Sequence, residues 1–182
     1  VGLGGKNVTS DIAIGIRTPI ERAEEIKKQF GCAYSPLIKG NEYISVPGVG
    51  GREQREVSRG VLSSIIEPRL EEILSLALRE IKRTEYADML GAGVVLTGGG
   101  SLMEGIQELS EKVFEMPVKL GIPTGFGGLT EAAKSPVHAT GVGLCMYGME
   151  QMKSRIGKKA LSGDDNFKKI FDRMKSWVKE FF

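Results

Sequence analysis

Val94-Val95-Leu96-Thr97-Gly98-Gly99-Gly100-Ser101-Leu102-Met103-Glu104-Gly105 is the stretch on which the fold turns. A short β-branched run that stops in three glycines and resumes at helical spacing predicts strand, glycine turn and a helix from about Ser101 to Phe114. Three glycines after a strand let a backbone pass close to a flat or anionic ligand, because no Cβ blocks the approach. The same pattern also serves as a plain tight turn, and no lysine follows the glycines as a P-loop requires. Downstream, Pro117-Val118-Lys119-Leu120 reads as a strand, residues 121–128 as a loop, and Val137 to Met149 as a helix carrying Ala139, Gly141, Val142 and Gly143. Strand and helix alternate, which predicts a layered α/β core.

Upstream the chain is mostly helical. Asn7-Val8-Thr9-Ser10-Asp11 offers capping groups ahead of Ile12, Ala13, Ile14 and Ile16, predicting a short apolar helix. Thr18-Pro19-Ile20-Glu21 reads as a capping box with proline at the first helical position, opening a helix that stops at Gly31. Tyr43-Ile44-Ser45-Val46 reads as a strand, with Ile38 in its partner. Helical periodicity runs from Val57 to Tyr86, with Pro68 forcing a kink or a restart.

The 182 residues carry 25 basic and 23 acidic side chains, a net charge of +2. So even a balance gives no whole-protein field suited to nucleic acid. Cys32 and Cys145 stand in unrelated contexts without metal-ligand spacing, which predicts neither a disulfide framework nor a metal site and fits a reducing cytoplasm. No apolar run approaches the roughly 18 residues of a membrane-spanning helix. Val1 in place of Met, with Gly2-Leu3-Gly4-Gly5 after it, reads as a start inside a longer protein. His138, the single histidine, reads as a helix-start or packing residue, and no catalytic triad is present.

The glycine stretch resembles the adenosine motif of the actin, Hsp70 and sugar-kinase superfamily. Ala23-Glu24 with Ile26-Lys27 resembles the segment of that superfamily in which an acidic and a basic side chain, one helical turn apart, reach ribose and adenine. Four segments are similar to the bacterial cell-division family FtsA: Asn7 to Ala13 followed by Thr18-Pro19, Val46-Pro47-Gly48-Val49-Gly50-Gly51-Arg52, Ile65-Ile66-Glu67-Pro68-Arg69, and Ala92 to Gly99. Ala139-Thr140-Gly141-Val142-Gly143-Leu144 resembles the superfamily's second connecting motif, where tight helix packing forms a hinge.

The resemblance implies the second half of an actin-like, ribonuclease-H-like α/β fold. Residues 1–88 would form subdomain IIB and residues 89–150 the second part of subdomain IIA. It implies ATP as ligand, with Glu24, Lys27 and, more weakly, Lys28 at the ribose and adenine. Gly98, Gly99 and Gly100 would line the nucleotide, and Leu102 or Met103 would cover the base. The phosphate-binding hairpins, with the Asp residues that hold Mg²⁺, would precede Val1. No catalytic residue is assigned, and the activity implied is at most a slow ATPase. Taken alone, Glu24 and Lys27 read rather as a solvent-exposed ion pair, and the glycine motif reverses that preference. Arg52, Arg55 and Arg59 read either as solvated surface or, by the resemblance, as a basic rim for the C-terminal peptide of the tubulin-like protein FtsZ.

Residues 151–166 read as a polar, flexible linker, and residues 167–182 as an amphipathic helix. Phe167, Ile170, Phe171, Met174, Trp177, Val178, Phe181 and Phe182 fall within an arc of roughly 140° on a helical wheel. Lys168, Lys169, Arg173, Lys175 and Lys179 lie outside that arc and outnumber Asp172 and Glu180. A detached helix with a large aromatic face and a basic polar face suits an anionic membrane surface. Its rivals are a C-terminal core helix and a calmodulin-type target. The whole reading is of a self-associating, ATP-binding scaffold that ties FtsZ filaments to the cytoplasmic face of the membrane at the division site and recruits later division proteins. The alternatives are a pilus-assembly adapter of the same fold and a superfamily phosphotransferase.

Overall fold

The computed structural model describes residues 2–48, 53–125, 133–152 and 173. Arg52, the end of the 121–128 loop, the linker from residue 153 onward and every membrane-facing candidate except Arg173 lie outside the described residues, while residues 151 and 152 of the expected linker continue a helix. Arg173 itself is helical and exposed.

Helix α1 spans Gly5–Gly15 and α2 spans Ile20–Phe30. Val8, Ile12 and Ile16 are buried at helical spacing along α1. The helix starts earlier than the capping groups suggest. Gly4 is its N-cap, and Asn7, in the first turn, accepts a hydrogen bond from the Gly4 N–H at 2.9 Å. The capping box expected at Thr18 does not form, because the buried Thr18 hydroxyl donates instead to the Pro47 carbonyl at 2.8 Å. A tertiary partner has replaced the local one. Gly31 ends α2 as expected, its N–H reaching the Lys27 carbonyl at 3.0 Å.

Strand β1, Tyr43–Val46, has the expected bounds, with Ile44 and Val46 facing inward. Its partner is not at Ile38 but is β2, Arg55–Ser58, antiparallel with Ile44 opposite Val57. Ile38 instead follows a 3-10 turn over Ser35–Leu37 that contains Pro36. Helix α3 then runs unbroken over Arg59–Lys82 with Pro68 inside it. No restart occurs: Leu62, Ile66, Leu70 and Leu74 are buried on both sides of Pro68, so burial along one face outweighs the single hydrogen bond that proline removes.

Strand β3, Val94–Leu96, and β4, Val118–Leu120, pair in parallel, Val95 opposite Lys119. Between them lies α4, Ile106–Phe114, which completes a βαβ crossover. The helix expected to begin at Ser101 begins instead at Ile106, after a 3-10 turn over Gly99–Leu102. Gly105 separates the two with φ +73, and a Cβ there would lie 2.9 Å from that of Tyr34. The strand-turn-helix order therefore stands, with the helix displaced by one tight junction. A further 3-10 turn, Pro136–His138, leads into helical residues 139–152. His138 is exposed in that turn. A Cβ at Gly141 or Gly143 would meet nothing within 4 Å, so the tight packing expected of this helix is not made among the described residues. No described helix is long and apolar enough to cross a membrane.

Candidate functional site

A cavity of about 1250 Å³ lies between α1, α2, the middle of α3 and the glycine turn. Its floor is apolar, contributed by Val8, Leu70, Ile73, Leu74 and Ile106, while Lys6, Glu21, Glu24, Lys27, Lys28 and Glu104 bring charge to its walls. The amphipathic period of α1 accounts for this: Val8 and Ile12 enter the core, and Gly5, Lys6 and Thr9 turn toward the cavity.

Glu24 and Lys27 meet as the three-residue spacing predicts, at 2.6 Å. They are not the exposed pair of the bland reading, since the Lys27 side chain is only 12% exposed and that of Glu24 35%. The Lys27 ammonium also donates to the Thr9 hydroxyl at 2.8 Å and to the Gly5 carbonyl at 3.0 Å. Thr9 donates in turn to the same Glu24 oxygen, Oε2. Burial alone would raise the Glu24 carboxyl, but hydrogen bonds from Lys27, Thr9 and Lys28 together with the Lys27 charge hold it at about 2. Lys28, 69% exposed, approaches Glu24 Oε1 at 3.3 Å.

Across the cavity, Gly98 turns the chain with φ +89 and ψ 170, a region open in practice to glycine alone. Its N–H is held by the Pro136 carbonyl at 3.0 Å. Gly99 and Gly100 line the cavity, whereas Gly98 does not. A Cβ on Gly100 would meet nothing within 4 Å and one on Gly99 only Val137, at 3.9 Å. The glycines thus leave space on the cavity side and are not forced by crowding. Leu102 and Met103 both border the cavity; Leu102 is exposed, and Met103 packs partly against the core. Ser101 closes the turn, its hydroxyl donating to the Gly98 carbonyl at 2.8 Å.

Of the three arginines, Arg55 and Arg59 lie among the described residues, and they differ in exposure. Arg55 is exposed, with one guanidinium nitrogen donating to the Ile16 carbonyl. Arg59 is mostly buried and forks between Glu42, at 2.9 Å, and Glu104, while its Nε donates to the Phe30 carbonyl at 3.0 Å. Both carboxylates raise the Arg59 guanidinium further above its ordinary range, against the opposing effect of burial. Among the described residues, no group of three or more His, Cys, Asp or Glu is arranged to hold a metal ion.

Sequence reasoning missed Thr9, Gly5 and the α3 contribution. The only hint of Thr9 was its place one helical turn after Gly5, and nothing local pairs it with a helix that begins eleven positions later, at Ile20. As a unit the cavity suits a flat, partly apolar ligand that also carries hydroxyl groups. The floor covers the apolar part, the open Gly99-Gly100 turn admits close approach, and an ionised carboxylate accepts from hydroxyls.

A family model described as cell division protein FtsA matches residues 1–143. The chain is 42% identical over 186 residues to cell division protein FtsA of Pseudomonas aeruginosa, covering 100% of this chain and 45% of that relative. It is 36% identical over 188 residues to the FtsA of Escherichia coli K12, covering 98% of this chain and 44% of the relative. The chain thus spans a little under half the length of the curated relatives it matches. Among solved structures it superposes on MreB 5 of Spiroplasma citri bound to AMPPNP with TM-score 0.69 at 19% identity, covering 87% of this chain and 47% of the other. That likeness shows an actin-like fold.

Proposed function

This chain belongs to the family of cell division protein FtsA, and from that premise we propose that it forms half of an adenine-nucleotide site in an actin-like division scaffold. The observation that carries this reading is the ionised Glu24, fixed by Thr9 and Lys27, on one wall of a cavity whose facing wall is the open Gly99-Gly100 turn. Glu24 and Lys27, with Lys28 in a lesser part, meet the ribose and adenine, Gly99 and Gly100 line the nucleotide and Gly98 sets their turn. Leu102 and Met103 flank the base, and the apolar floor takes its ring face. That a solved structure similar in fold, MreB 5, is bound to AMPPNP supports a nucleotide in this position. The phosphates and Mg²⁺ of a bound ATP would be held by the part of the relatives' length that this chain does not span. Titrating the complete natural polypeptide with a fluorescent ATP analogue tests the reading. Glu24→Gln and Gly100→Leu should each weaken binding by about tenfold or more, and unchanged affinity in both would end it.

Residues 1–88 act as subdomain IIB and 89–150 as the second part of subdomain IIA, with a linker that starts after the helical residues 151 and 152 and runs to 166. The FtsZ C-terminal peptide docks near Arg52 and Arg55, with Arg59 supporting that edge from within. The aromatic and basic pattern of residues 167–182 supports a membrane tether, which makes the protein peripheral at the cytoplasmic face of the division site. Weak attachment per copy suits a scaffold that self-associates, because joined tails multiply their grip. Liposome flotation with and without residues 167–182 tests the tether, and pull-down with the FtsZ peptide by Arg55→Glu protein tests the dock. Flotation of the truncated chain, or full capture by the variant, would remove the corresponding part.

A further inference from the structure

Residues 99–104 run along one wall of the cavity as a strap bounded by two glycines at positive φ, Gly98 at +89 and Gly105 at +73. One end is pinned to the 136–138 turn, where the Gly98 N–H donates to the Pro136 carbonyl at 3.0 Å. The other end is pinned twice. The Ala33 N–H donates to the Glu104 carbonyl at 2.7 Å, and the Arg59 guanidinium donates to the Glu104 carboxylate. Arg59 belongs to neither the strap nor its neighbours in sequence: it opens α3, and its remaining guanidinium nitrogens go to Glu42 at 2.9 Å and to the Phe30 carbonyl at 3.0 Å. The arginine is mostly buried, whereas both carboxylates are about half exposed. Arg59 is therefore the fixed member, and the strap end is what it holds.

We propose that Arg59 is a positioning residue for this cavity: acting through Glu104 as a strut, it fixes the strap, and with it Leu102 and Met103, before a ligand arrives. The inference rests on the nucleotide reading of the cavity and deepens it. Arg59 does not line the cavity, whereas Leu102, Met103 and Glu104 do, so its effect on a ligand passes through the wall. A segment between two glycines has many backbone states to lose on ordering. Holding it in place beforehand spares the ligand that cost. Gly105 closes the inner side of the same end, since a Cβ there would press on both Tyr34 and Leu37. The Glu42 branch of the fork supplies an internal comparison: it engages the same guanidinium at similar exposure, yet leads to the segment ahead of β1 and not to the cavity.

Two measurements on the complete natural polypeptide test the strut. In ligand-free protein carrying methyl-labelled methionine, the Met103 methyl should gain mobility by NMR order parameter in Arg59→Leu and in Glu104→Ala, and stay as in wild type in Glu42→Ala. Calorimetric titration with Mg-ATP should give affinity about fivefold weaker in Arg59→Leu and in Glu104→Ala, with the double variant no weaker than either single, because both cut one strut. Glu42→Ala should bind as wild type. Additive losses in the double variant would mean that Glu104 meets the ligand itself, and wild-type affinity in the double variant that the freed carboxylate merely repels it; either overturns the strut. Equal losses in Glu42→Ala and Glu104→Ala overturn it too, since Arg59 would then serve stability alone. Unchanged Met103 mobility in Arg59→Leu overturns the strut while leaving the nucleotide reading intact, whereas wild-type protein that takes up no Mg-ATP ends that reading and the positioning role with it.

Discussion

Asp11 of α1 and Arg69 of α3, fifty-eight positions apart, are joined by two parallel contacts, Nε to Oδ2 at 2.5 Å and Nη2 to Oδ1 at 3.2 Å. The third guanidinium nitrogen reaches Glu72 at 2.5 Å. Only a planar fork makes the paired contact, so it fixes the register of α1 against α3 at the same level as the cavity wall. Arg69→Met should lower the melting temperature, and Arg69→Lys, which keeps the charge but loses the fork, should recover only part of the loss. Equal melting of Arg69→Lys and wild type would show that charge alone suffices.

The core is centred on α3, with Leu62 and Ile66 fully buried beside Ile12 and Ile16 of α1. Leu62→Ala should destabilise the fold by about 2–5 kcal/mol, the range for a buried leucine whose space does not collapse. Val61→Ala, one position away and half exposed, should change stability by less than about 0.5 kcal/mol. Denaturant unfolding of the two variants separates a packing effect from any general weakness of the helix.

Two glycines of the same turn should respond oppositely. Gly98→Ala forces a side chain into φ +89 and ψ 170 and should cost about 1–3 kcal/mol of stability. Gly100→Ala meets open space, so its melting should match wild type while its ligand affinity falls. Loss of stability in both would mean that the turn is built on crowding rather than on backbone freedom.

Glu24 sets a pH dependence whose sign is fixed. Its carboxyl is held at about 2 against an ordinary 4.5, so the folded state binds the proton less readily than the unfolded chain. Its stabilising effect is complete above about pH 4.5 and is lost as the pH falls from there toward about 2. The stability difference between wild type and Glu24→Gln should be constant near neutrality and shrink through that window in thermal melts. A difference that grows on acidification would reverse the assignment.

What the sequence made legible follows how local each signal is. The bounds of β1, the stop of α2 at Gly31 and the strand before the triple glycine are written in neighbouring residues. Helix α1 begins at Gly5 because Asn7 accepts from the Gly4 N–H and Lys27 of α2 holds the Gly5 carbonyl, and the second of these is not written in the neighbouring residues. Strand β2 was hidden because Arg55-Glu56-Val57-Ser58 has no apolar alternation, and Tyr43–Val46 pulls it into register from across the turn. In the site, the Glu24-Lys27 spacing was visible one helical turn apart. The Thr9 hydroxyl that bonds to both belongs to another helix, and no periodicity in one helix reports what another places against it.

Arg59 stands where three segments meet: Glu42 ahead of β1, Phe30 at the end of α2, and Glu104 beyond the glycine turn. The backbone doubles each outer link, since the Arg59 N–H donates to the Glu42 carbonyl at 2.8 Å and the Ala33 N–H to that of Glu104 at 2.7 Å. One side chain thereby ties these segments together, and segments so tied are expected to open as one unit. Amide exchange at Arg59 and Ala33, twenty-six positions apart, should then follow the same rare excursion, so that loosening the cavity rim is felt at the hairpin on the same timescale.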